Sequence, residues 1–343
     1  MRRGISYLMV AVLALALLSG ATLATADPKK IKVKCDKGDS INAALMNDAE
    51  DLIIEINGMC QEKVVVERKN VTLRGADPMT DGITGPVLDL SDPNDRALVT
   101  VMGGVKGILF ENLAITESQL RGLEVHGASF VDVENCRITG NSRGLQVADD
   151  GAATVTNTEF ANNTQFQLAT WSGGFINCTE CTISAPAADG LLSSVGGRMF
   201  LTNSSVIVGG WGALTSENGY FSAKDTYIAA DAWAVWATKN SQMFLEGGDI
   251  FGMVWAESKS MVWLEGVTQT DNSWRNYVGE DSNLNLIDAT LIGETKLTRF
   301  SNGTAEGLSA LGDLVCDRGA DFFCDNPTTQ VGGTSDCGQC PKP

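Results

Sequence analysis

Four side chains in the middle of the chain have the types that acid–base chemistry requires: Glu124, His126, Asp149 and Asp150. A carboxylate beside a histidine or arginine can transfer a proton, and a pair of carboxylates can split a glycosidic bond. We therefore treat these four as candidate catalytic residues. Simpler interpretations stay open, in which Asp149-Asp150-Gly151 is a solvated turn and His126 an exposed strand residue. Calcium would need several converging oxygens, some of which these carboxylates could supply, and no other cofactor is predicted.

Aromatic side chains dominate the part of the chain that follows. Flat rings pack well against the C–H faces of pyranose rings, so a row of rings can follow a chain of sugars. A structural ladder and a protein interface are the alternatives, since large exposed apolar patches usually contact a partner. The predicted ligand-binding residues are Trp171, Trp236, Trp255, Tyr277, Trp211, Trp233 and Trp274.

A repeat of about 22 residues positions all of these side chains. An apolar anchor usually follows an Asn or Asp by three residues, as Ile115 follows Asn112 and Ile138 follows Asn135. Self-similarity at a fixed period is the signature of a solenoid. The anchors are Ile115, Ile138, Phe160, Ile183, Val206, Ile228, Ile250, Gln269 and Leu291.

Within each repeat, apolar and mostly polar residues alternate. Val131 and Val133 precede the anchor Ile138, and another alternating pair, Leu123 and Val125, precedes them. A period of two is typical of strands with one buried face. We predict an all-β parallel β-helix, a solenoid of about ten coils of roughly 22–23 residues, about 50 Å long at the usual strand spacing. Asn side chains would stack at one bend of each coil.

The two ends of the solenoid need caps. Ile41, Ala44 and Leu45 have helical spacing behind Asp39 or Ser40 as a helix N-cap, so we predict a helical cap at the N-terminal end. The expected organisation is a signal peptide (1–26), an N-terminal cap (27–61), a parallel β-helix (62–300) and a Cys-rich C-terminal cap (301–343).

The coil length, the three strands per coil, the Asn row and the helical cap resemble the right-handed parallel β-helix proteins of the pectate-lyase-like superfamily. The resemblance covers about residues 31–291 and implies a right-handed β-helix with substrate along the outer face of the first strand of each coil. Because the superfamily includes lyases, hydrolases, esterases and adhesins, it implies no single activity. The polar N-terminal part of that face carries Arg121, Glu124, His126, Arg143, Gln146, Asp149 and Asp150.

The catalytic motifs of particular families in that superfamily are incomplete here. Asp149-Asp150 resembles the paired Asp of polygalacturonases, but the companion Asn-Thr-Asp, Gly-His-Gly and Arg-Ile-Lys motifs are absent. Residues 248–252 resemble an esterase signature, yet they fit the repeat. We therefore favour a non-catalytic protein that binds polysaccharide, a cell-surface glycan or another extracellular ligand. The alternatives are a polysaccharide lyase or glycoside hydrolase acting on this face, and a structural or adhesive rod.

Composition and charge exclude some partners. The 343 residues carry a net charge of −17, and an acidic surface argues against nucleic acid and against loose binding to anionic lipid. Arg2 and Arg3, an apolar run too short to span a bilayer, and Ala24-Thr25-Ala26 form an export signal. We expect a secreted protein, periplasmic or extracellular, with no membrane span in the mature chain; an uncleaved anchor is the alternative. No oligomeric state is predicted.

All nine cysteines follow the predicted cleavage site, as in proteins of oxidising compartments. Cys35 and Cys60 are predicted to form a disulfide. Two disulfides are favoured for the C-terminal group, with a zinc site as the alternative, and the odd total leaves one thiol free or paired between chains. The C-terminal group is Cys316, Cys324, Cys337 and Cys340.

A second outward apolar row follows the next strand of the coils. Rows of this kind usually pack beneath a loop or tail, so we expect no site there. Its members are Phe130, Phe175, Phe200, Phe244 and Trp263.

Overall fold

The computed structural model describes residues 27–85, 96–271, 275–307, 309–317, 319–324, 330–331 and 337. Short β-strands make up most of this part of the chain, as the alternation of apolar and polar residues predicts. Its helical elements are a 3-10 turn (Cys35–Lys37) and one α-helix, α1 (Ile41–Leu45).

The strands of the first half follow one another at short intervals. They are β1 (Lys29–Lys34), β2 (Leu52–Asn57), β3 (Met59–Gln61), β4 (Val64–Val66), β5 (Val71–Arg74), β6 (Gly82–Thr84), β7 (Ala97–Val101), β8 (Ile108–Glu111), β9 (Ala114–Thr116), β10 (Arg121–Val125), β11 (Phe130–Glu134), β12 (Arg137–Thr139), β13 (Arg143–Val147), β14 (Ala152–Thr156), β15 (Glu159–Ala161), β16 (Phe166–Thr170), β17 (Phe175–Thr179) and β18 (Thr182–Ala185).

The strands of the second half continue the series, with two longer members. They are β19 (Asp189–Ser193), β20 (Arg198–Thr202), β21 (Ser205–Val208), β22 (Ala213–Thr215), β23 (Tyr220–Lys224), β24 (Tyr227–Ala237), β25 (Gln242–Glu246), β26 (Asp249–Ala256), β27 (Met261–Glu265), β28 (Thr268–Asp271), β29 (Asn276–Val278), β30 (Asn283–Ile287), β31 (Thr290–Leu291), β32 (Thr295–Leu297), β33 (Asn302–Glu306), β34 (Ala310–Leu311), β35 (Leu314–Cys316), β36 (Asp321–Cys324) and β37 (Gln330–Val331).

These strands stack in parallel into three faces of one solenoid. Sheet 1 contains β4, β7, β10, β13, β16, β19, β22, β29, β32, β35 and the C-terminal parts of β24 and β26. Sheet 2 contains β1, β2, β5, β8, β11, β14, β17, β20, β23, β25, β27, β30, β33 and β36. Sheet 3 contains β3, β6, β9, β12, β15, β18, β21, β28, β31, β34, β37 and the N-terminal parts of β24 and β26.

The core is the interior of this solenoid. Residues of like position lie directly above one another, as Leu123 pairs with Leu145 and Leu145 with Leu168 on successive coils. All three are fully buried. Because each coil covers the next, the hydrophobic effect acts along the whole stack and no coil buries its core alone.

An Asn row forms the turn between sheets 2 and 3, as predicted. Asn112, Asn135 and Asn157 all have left-handed backbone conformations, with φ of 53°, 52° and 46°. Asn tolerates this conformation better than most residues. The Asn157 side-chain amide donates a 2.6 Å hydrogen bond to Asn135 Oδ1 on the preceding coil, so the row also links the coils.

A second amide row lies inside the turn between sheets 3 and 1, and the sequence analysis missed it. Asn141 and Asn163 are buried. The Asn163 carbonyl oxygen Oδ1 accepts from the Asn141 backbone N–H at 2.9 Å, and Gln167 Oε1 accepts from the Asn163 side-chain amide at 2.7 Å. These polar groups satisfy one another, which is the condition for burying them.

The solenoid is longer than the sequence predicts. Sheet 2 has 14 strands among the described residues, so it contains about 13 turns rather than about ten. The additional coils lie outside the regular repeat: β1 and β2 belong to the segment expected to be a cap, and β33 and β36 to the Cys-rich tail. β2 is followed by steps of 19 and 37 residues, and β33 and β36 each follow the preceding strand of sheet 2 by 19 residues, so these coils do not continue the period of 22 residues.

The predicted helix is α1, only five residues long. Ser40 is its N-cap and accepts from the Ala43 backbone N–H, and Ile41, Ala44 and Leu45 are buried. Its action as a cap of the solenoid stays a prediction.

Three disulfides are defined in the described residues. One joins Cys35 to Cys60, the predicted pair, and another joins Cys316 to Cys337. The third, Cys178–Cys181, was not predicted, because Cys178 also fits the pattern of an inward strand residue. Cys324 is disulfide-bonded as well, which leaves no thiolate set for the alternative zinc site; Cys340 lies outside the described residues.

Cys136 is the free cysteine of the described chain, and it is buried. Burial raises the pKa of its thiol to about 12, so the thiol stays protonated and unreactive at neutral pH.

Candidate functional site

The outer face of sheet 1 carries one column of outward side chains. The strand register confirms the alignment read from the repeat, because Glu124 pairs with Gln146 and Gln146 with Ala169. The column continues through Leu192, Leu214, Trp236, Trp255, Tyr277 and Lys296. Its N-terminal part is polar and its middle part apolar and aromatic.

The polar part repeats one arrangement on two consecutive coils. Residues 121–125 read Arg-Gly-Leu-Glu-Val and residues 143–147 read Arg-Gly-Leu-Gln-Val. Arg121 forms an ion pair with Glu124, and Arg143 donates to Gln146 Oε1 at 2.6 Å. Arg143 also donates to Gln165 Oε1 at 3.0 Å. The two arginines therefore lie one above the other, with a carboxylate beside the first and amides beside the second.

Electrostatics differ between these two arginines. Burial lowers the pKa of the Arg143 guanidinium and the charge of Arg121 lowers it further, whereas Glu124 raises it. The hydrogen-bond partners of Arg143 that are defined here are neutral amides. The face around Arg143 is thus locally positive on a chain whose net charge is −17.

Glu124 is the most unusual member of the polar part. Only 4% of it is exposed. Its Oε1 contacts Arg121, but Oε2 is buried without a hydrogen-bond partner among the described residues. Burying a carboxylate oxygen unpaired is costly, so this atom marks a position where a donor is missing.

The other candidate catalytic residues lie apart from that carboxylate. His126 is partly exposed at the end of β10. Asp149 and Asp150 are exposed in the turn between sheets 1 and 2, with left-handed φ values of 51° and 60°. Other coils place Glu217-Asn218 and Lys239-Asn240 in the same left-handed turn, so backbone geometry alone accounts for the Asp pair.

No metal-binding group is formed by the described residues. Nowhere among them do three or more His, Cys, Asp or Glu side chains converge. Glu124 faces Arg121, and Asp149 and Asp150 face solvent, so the oxygens considered for calcium do not meet.

The apolar part of the column forms a small core outside the solenoid. Ala169, Leu192 and Leu214 are buried although they point outward. The side chains that cover them are Phe166, Trp171, Trp211 and Trp236. The sequence analysis missed Phe166, although its alignment with Arg143 places it at the same corner.

The aromatic cluster continues from this outer core; we define it as Trp211, Trp233, Trp236, Trp255 and Tyr277. Trp211 and Trp236 meet edge to face with ring centroids 5.1 Å apart, and Trp233 lies 5.1 Å from Trp236. Trp255 and Tyr277 stack at 4.3 Å. Trp211 and Trp233 at the corner therefore point outward and fold over the sheet. Trp274 lies outside the described residues.

The backbone explains why these rings crowd together. β24 and β26 run without a loop from sheet 3 into sheet 1, and their pairing shifts register beside Trp233. Such bulges re-aim side chains. Asp189 fixes the neighbouring corner, because its Oδ1 accepts from the Trp211 backbone N–H at 2.9 Å. Burial raises the pKa of Asp189, while that hydrogen bond lowers it.

The unsatisfied polar atoms of the described chain all lie on this face. Besides Glu124 Oε2, the indole Nε1 atoms of four tryptophans are buried and have no hydrogen-bond partner. These tryptophans are Trp171, Trp233, Trp236 and Trp255. Buried polar groups elsewhere in proteins nearly always have a partner, so these five exceptions make this face the candidate site.

A second aromatic row lies on the outer face of sheet 2, and we call it the aromatic ladder. Successive ring centroids lie 5.4, 5.4, 5.4 and 6.2 Å apart. The strands beneath pair without register shifts. Phe130 is not part of this ladder, because the strand between Phe130 and Phe175 carries Ala152 and Thr154 in place of an aromatic residue. The members are Phe175, Phe200, Tyr220, Phe244 and Trp263, of which the sequence analysis missed Tyr220.

No helix in the described part of the chain is long and apolar enough to cross a membrane.

Comparisons with known proteins agree on the fold. A family model described as a right handed beta helix region matches residues 99–228. The catalytic unit of a GH87 α-1,3-glucanase from Streptomyces thermodiastaticus superposes with a TM-score of 0.54 and 12% identity, over 85% of this chain and 66% of that one. No curated protein matches the sequence.

Pectin methylesterases are also similar in structure. The enzyme from Erwinia chrysanthemi gives a TM-score of 0.41 and 13% identity, over 62% of this chain and 81% of that one. The carrot enzyme gives 0.38 and 15%, over 73% and 83%. At these identities the likeness concerns the fold alone.

Proposed function

We propose that this chain, a right-handed parallel β-helix, binds polysaccharide along the outer face of sheet 1 without cleaving it. The disulfides are consistent with an extracellular or periplasmic location. The proposal concerns the aromatic cluster together with Trp171 and the polar residues that precede it in the column.

The observation that carries the proposal is the concentration of unsatisfied polar atoms on this face. Four indole N–H groups lack acceptors and one Glu124 oxygen lacks a donor. Each hydroxyl of a sugar both donates and accepts hydrogen bonds, so a polyhydroxylated chain supplies both kinds of partner. The tryptophan residues are partly exposed, so a ligand can approach the rings whose N–H groups lack a partner.

The ring surface adds the apolar half of sugar recognition. Trp236, Trp255 and Tyr277 occupy one column on three consecutive coils. Parallel strands are about 4.8 Å apart, so the column is about 10 Å long, which is close to two pyranose units. Because Trp255 and Tyr277 stack on each other, a pyranose C–H face would contact the ring surface that this stack leaves exposed, while hydroxyls reach the indole N–H groups.

A second candidate function is polysaccharide cleavage, and the observation that favours it is Glu124. A nearly buried carboxylate with one unpartnered oxygen has the surroundings of a catalytic acid or base. His126 lies two residues further along the chain, directly after the end of β10. Asp149 and Asp150 are the further candidates, in the exposed turn that follows β13.

One experiment separates the two functions. The purified protein is incubated with a panel of soluble polysaccharides, with and without calcium, while ultraviolet absorbance of unsaturated products, new reducing ends and tryptophan fluorescence are recorded. Binding without cleavage predicts a fluorescence shift with at least one glycan and no product. The Trp236→Ala/Trp255→Ala variant is then expected to weaken binding at least tenfold, because it removes two rings and two of the N–H donors.

Three results would contradict the proposal. Product formation that the Asp149→Asn/Asp150→Asn or Glu124→Gln variant abolishes would make the protein an enzyme. Unchanged glycan binding in the double tryptophan variant would remove the aromatic cluster from the site. Association of the protein with itself through these tryptophans, seen by light scattering and without glycan binding, would favour the adhesive rod.

A further inference from the structure

A cavity of about 420 Å³ lies at the corner where the chain passes from sheet 3 into sheet 1. Residues 164–166, 187–189 and 209–210 of three consecutive coils line it, and we call it the corner cavity. Its volume is within the range of about 300–1,000 Å³ that is typical of small-ligand sites. The corner cavity shares no residue with the aromatic cluster or with the polar part of the column.

Backbone rather than side chains forms one wall of the corner cavity. A Cβ atom at Gly210 would lie 2.0 Å from Asp189 Oδ1. One at Gly209 would lie 2.0 Å from the Pro186 carbonyl oxygen. Both distances are far shorter than van der Waals contact, so only glycine allows the two coils to approach this closely. The recess is therefore a fixed feature of the packing between neighbouring coils.

Asp189 supplies the corner cavity with a carboxylate that has no counter-ion. Its Oδ1 accepts from the Trp211 backbone N–H at 2.9 Å, and no Lys, Arg or His of the described residues forms an ion pair with it. Its Oδ2 has no partner among those residues and is not enclosed, so a ligand can reach it. A half-buried carboxylate in these surroundings favours a ligand that donates hydrogen bonds.

Gln165 and Thr164 supply hydrogen-bonding groups from the preceding coil. Arg143 donates to Gln165 Oε1 at 3.0 Å, which leaves the amide nitrogen of Gln165 to donate elsewhere. Neither that nitrogen nor the Thr164 hydroxyl has a hydrogen-bond partner among the described residues. Donors and a carboxylate acceptor thus line one cavity, and sugar hydroxyls, which both donate and accept, can satisfy all of them.

Phe166 adds an apolar wall between these polar groups. In the strand register it pairs with Arg143 on one side and with Asp189 on the other, so guanidinium and carboxylate stand about 10 Å apart across the ring. The ring is partly exposed and also packs on the outer core of sheet 1. Asp189 is the only ionisable residue of the lining, so a ligand with a negative charge is disfavoured.

The corner cavity lies beside the column of sheet 1 rather than within it. Asp189 precedes the column residue Leu192 by three positions, and Phe166 precedes Ala169 by three. A glycan that follows the column runs along the axis of the solenoid. A sugar in the corner cavity would therefore leave that chain sideways, as a branch does.

We propose that the corner cavity binds one uncharged pyranose unit, which branches from a glycan chain lying on sheet 1. The inference rests on the proposed function for the chain and for the class of ligand, and it adds that the preferred glycan is branched. Asp189 would accept from the hydroxyls of the branch, Gln165 and Thr164 would donate to them, and Phe166 would contact a C–H face of the sugar.

The first measurement compares soluble oligosaccharides that share a main chain and differ in single-sugar branches, by isothermal titration calorimetry with the full-length protein. The pairs are cellotetraose with a xylose-branched cellotetraose, mannotriose with a galactose-branched mannotriose, and linear with glucose-branched β-1,3-glucan oligosaccharides. The branched member of at least one pair should bind at least tenfold more tightly than the linear member.

The variant Asp189→Asn isolates the corner cavity. The new amide keeps an acceptor for the Trp211 N–H and replaces Oδ2 by a donor, so the preference for the branched member should fall below twofold without a lower thermal midpoint. The matched control is Asp281→Asn, which makes the same change in an exposed turn between sheets 1 and 2. This control should keep the preference of the wild type.

The second measurement uses methyl pyranosides of glucose, galactose, mannose and xylose, which are too small to need the aromatic cluster. At least one of them should shift the side-chain amide signals of Gln165 in ¹⁵N nuclear magnetic resonance spectra. The shift should persist in Trp236→Ala and be lost in Asp189→Asn. A shift in the absence of any oligosaccharide binding would contradict the chain on sheet 1 but not the sugar site at the corner.

Two results would overturn the inference. One is that no methyl pyranoside shifts the Gln165 signals. The other is that branched and linear oligosaccharides bind with equal affinity, or that a preference for the branched member survives unchanged in Asp189→Asn.

Discussion

The two aromatic surfaces of this solenoid each contain five rings on neighbouring coils, yet they differ in how the rings meet and in what lies beneath them. On sheet 1, Trp211 and Trp236 meet at 89°, and four indole N–H groups of this face are buried without a hydrogen-bond partner. On sheet 2, Tyr220 and Phe244 lie at 29°, and none of the unsatisfied buried polar atoms of the described chain is found there. Sheet 1 has an apolar core beneath its rings, whereas sheet 2 has polar residues between them.

The difference shows that spacing alone does not define a surface. Rings on a regular strand, such as Phe200, stack at an oblique angle on their neighbours, because the backbone repeats without change. Rings beside a register shift, such as Trp233, turn toward one another and enclose polar atoms. In the first arrangement the rings contact one another, whereas the second leaves buried indole N–H groups without hydrogen-bond partners.

The largest effect is expected where the aromatic cluster rests on its outer core. Leu192→Ala should lower the free energy of unfolding by about 2–3 kcal/mol, because it empties volume beneath the rings. Ser222→Ala, between two rings of the ladder, should change it by less than about 0.5 kcal/mol. Urea unfolding followed by circular dichroism measures both. Equal effects would mean that the two surfaces are supported in the same way.

A smaller effect is expected for the coupling between rings. In a double-mutant cycle, Trp211→Leu and Trp236→Leu should couple by about 1 kcal/mol, since their rings meet edge to face. Phe200→Leu and Phe244→Leu should couple by less than about 0.3 kcal/mol, because Tyr220 lies between them. Strong coupling in the second cycle would show that the ladder acts as one packed unit rather than as separate rings.

The smallest effect concerns Asp189, which holds the corner of the aromatic cluster. Burial raises its pKa above the ordinary 3.8, so its ionised form lowers stability at pH 7. Asp189→Asn keeps an acceptor for the Trp211 N–H and should raise the thermal midpoint at pH 7. This gain should shrink as the pH falls through the raised pKa and vanish below 3.8. Asp189→Ala loses the acceptor and should lower the thermal midpoint both at pH 7 and below pH 3.8. A gain in thermal midpoint for Asp189→Asn that does not change with pH would contradict the raised pKa of Asp189.

Much of the fold follows from the sequence, because each coil repeats a local pattern. Inward positions such as Leu123 and Val131 alternate with outward ones, and Asn112 marks a turn that needs left-handed backbone. The terminal coils were not predicted, since steps of 19 and 37 residues separate β2 from the regular repeat and β33 and β36 follow at 19 residues. The internal amide row of Asn141 and Asn163 was not predicted either. A polar residue in a turn between strands is expected to be exposed, and only its partner on the next coil shows that it is buried.

The sequence predicts which residues of the candidate site share a column, but it does not predict which side chains contact one another. The repeat placed Trp236, Trp255 and Tyr277 on successive coils, and the strand pairing confirms this. It left open where the corner residues Trp211 and Trp233 point, because that depends on a register shift inside β24. The absence of hydrogen-bond partners for Glu124 and for the indole N–H groups depends on side-chain packing, which the spacing of residues in the sequence does not predict.

The most direct test of the account uses the tryptophans themselves as reporters. Indole N–H signals in ¹⁵N nuclear magnetic resonance spectra, assigned by single Trp→Phe substitutions, are followed while the soluble oligosaccharide identified in the polysaccharide screen is added. The account predicts that the Trp236 and Trp255 signals shift as their N–H groups gain an acceptor, whereas the Trp263 signal on sheet 2 does not move. Shifts confined to Trp263, or a titration that leaves Trp236 and Trp255 unchanged despite binding, would contradict it.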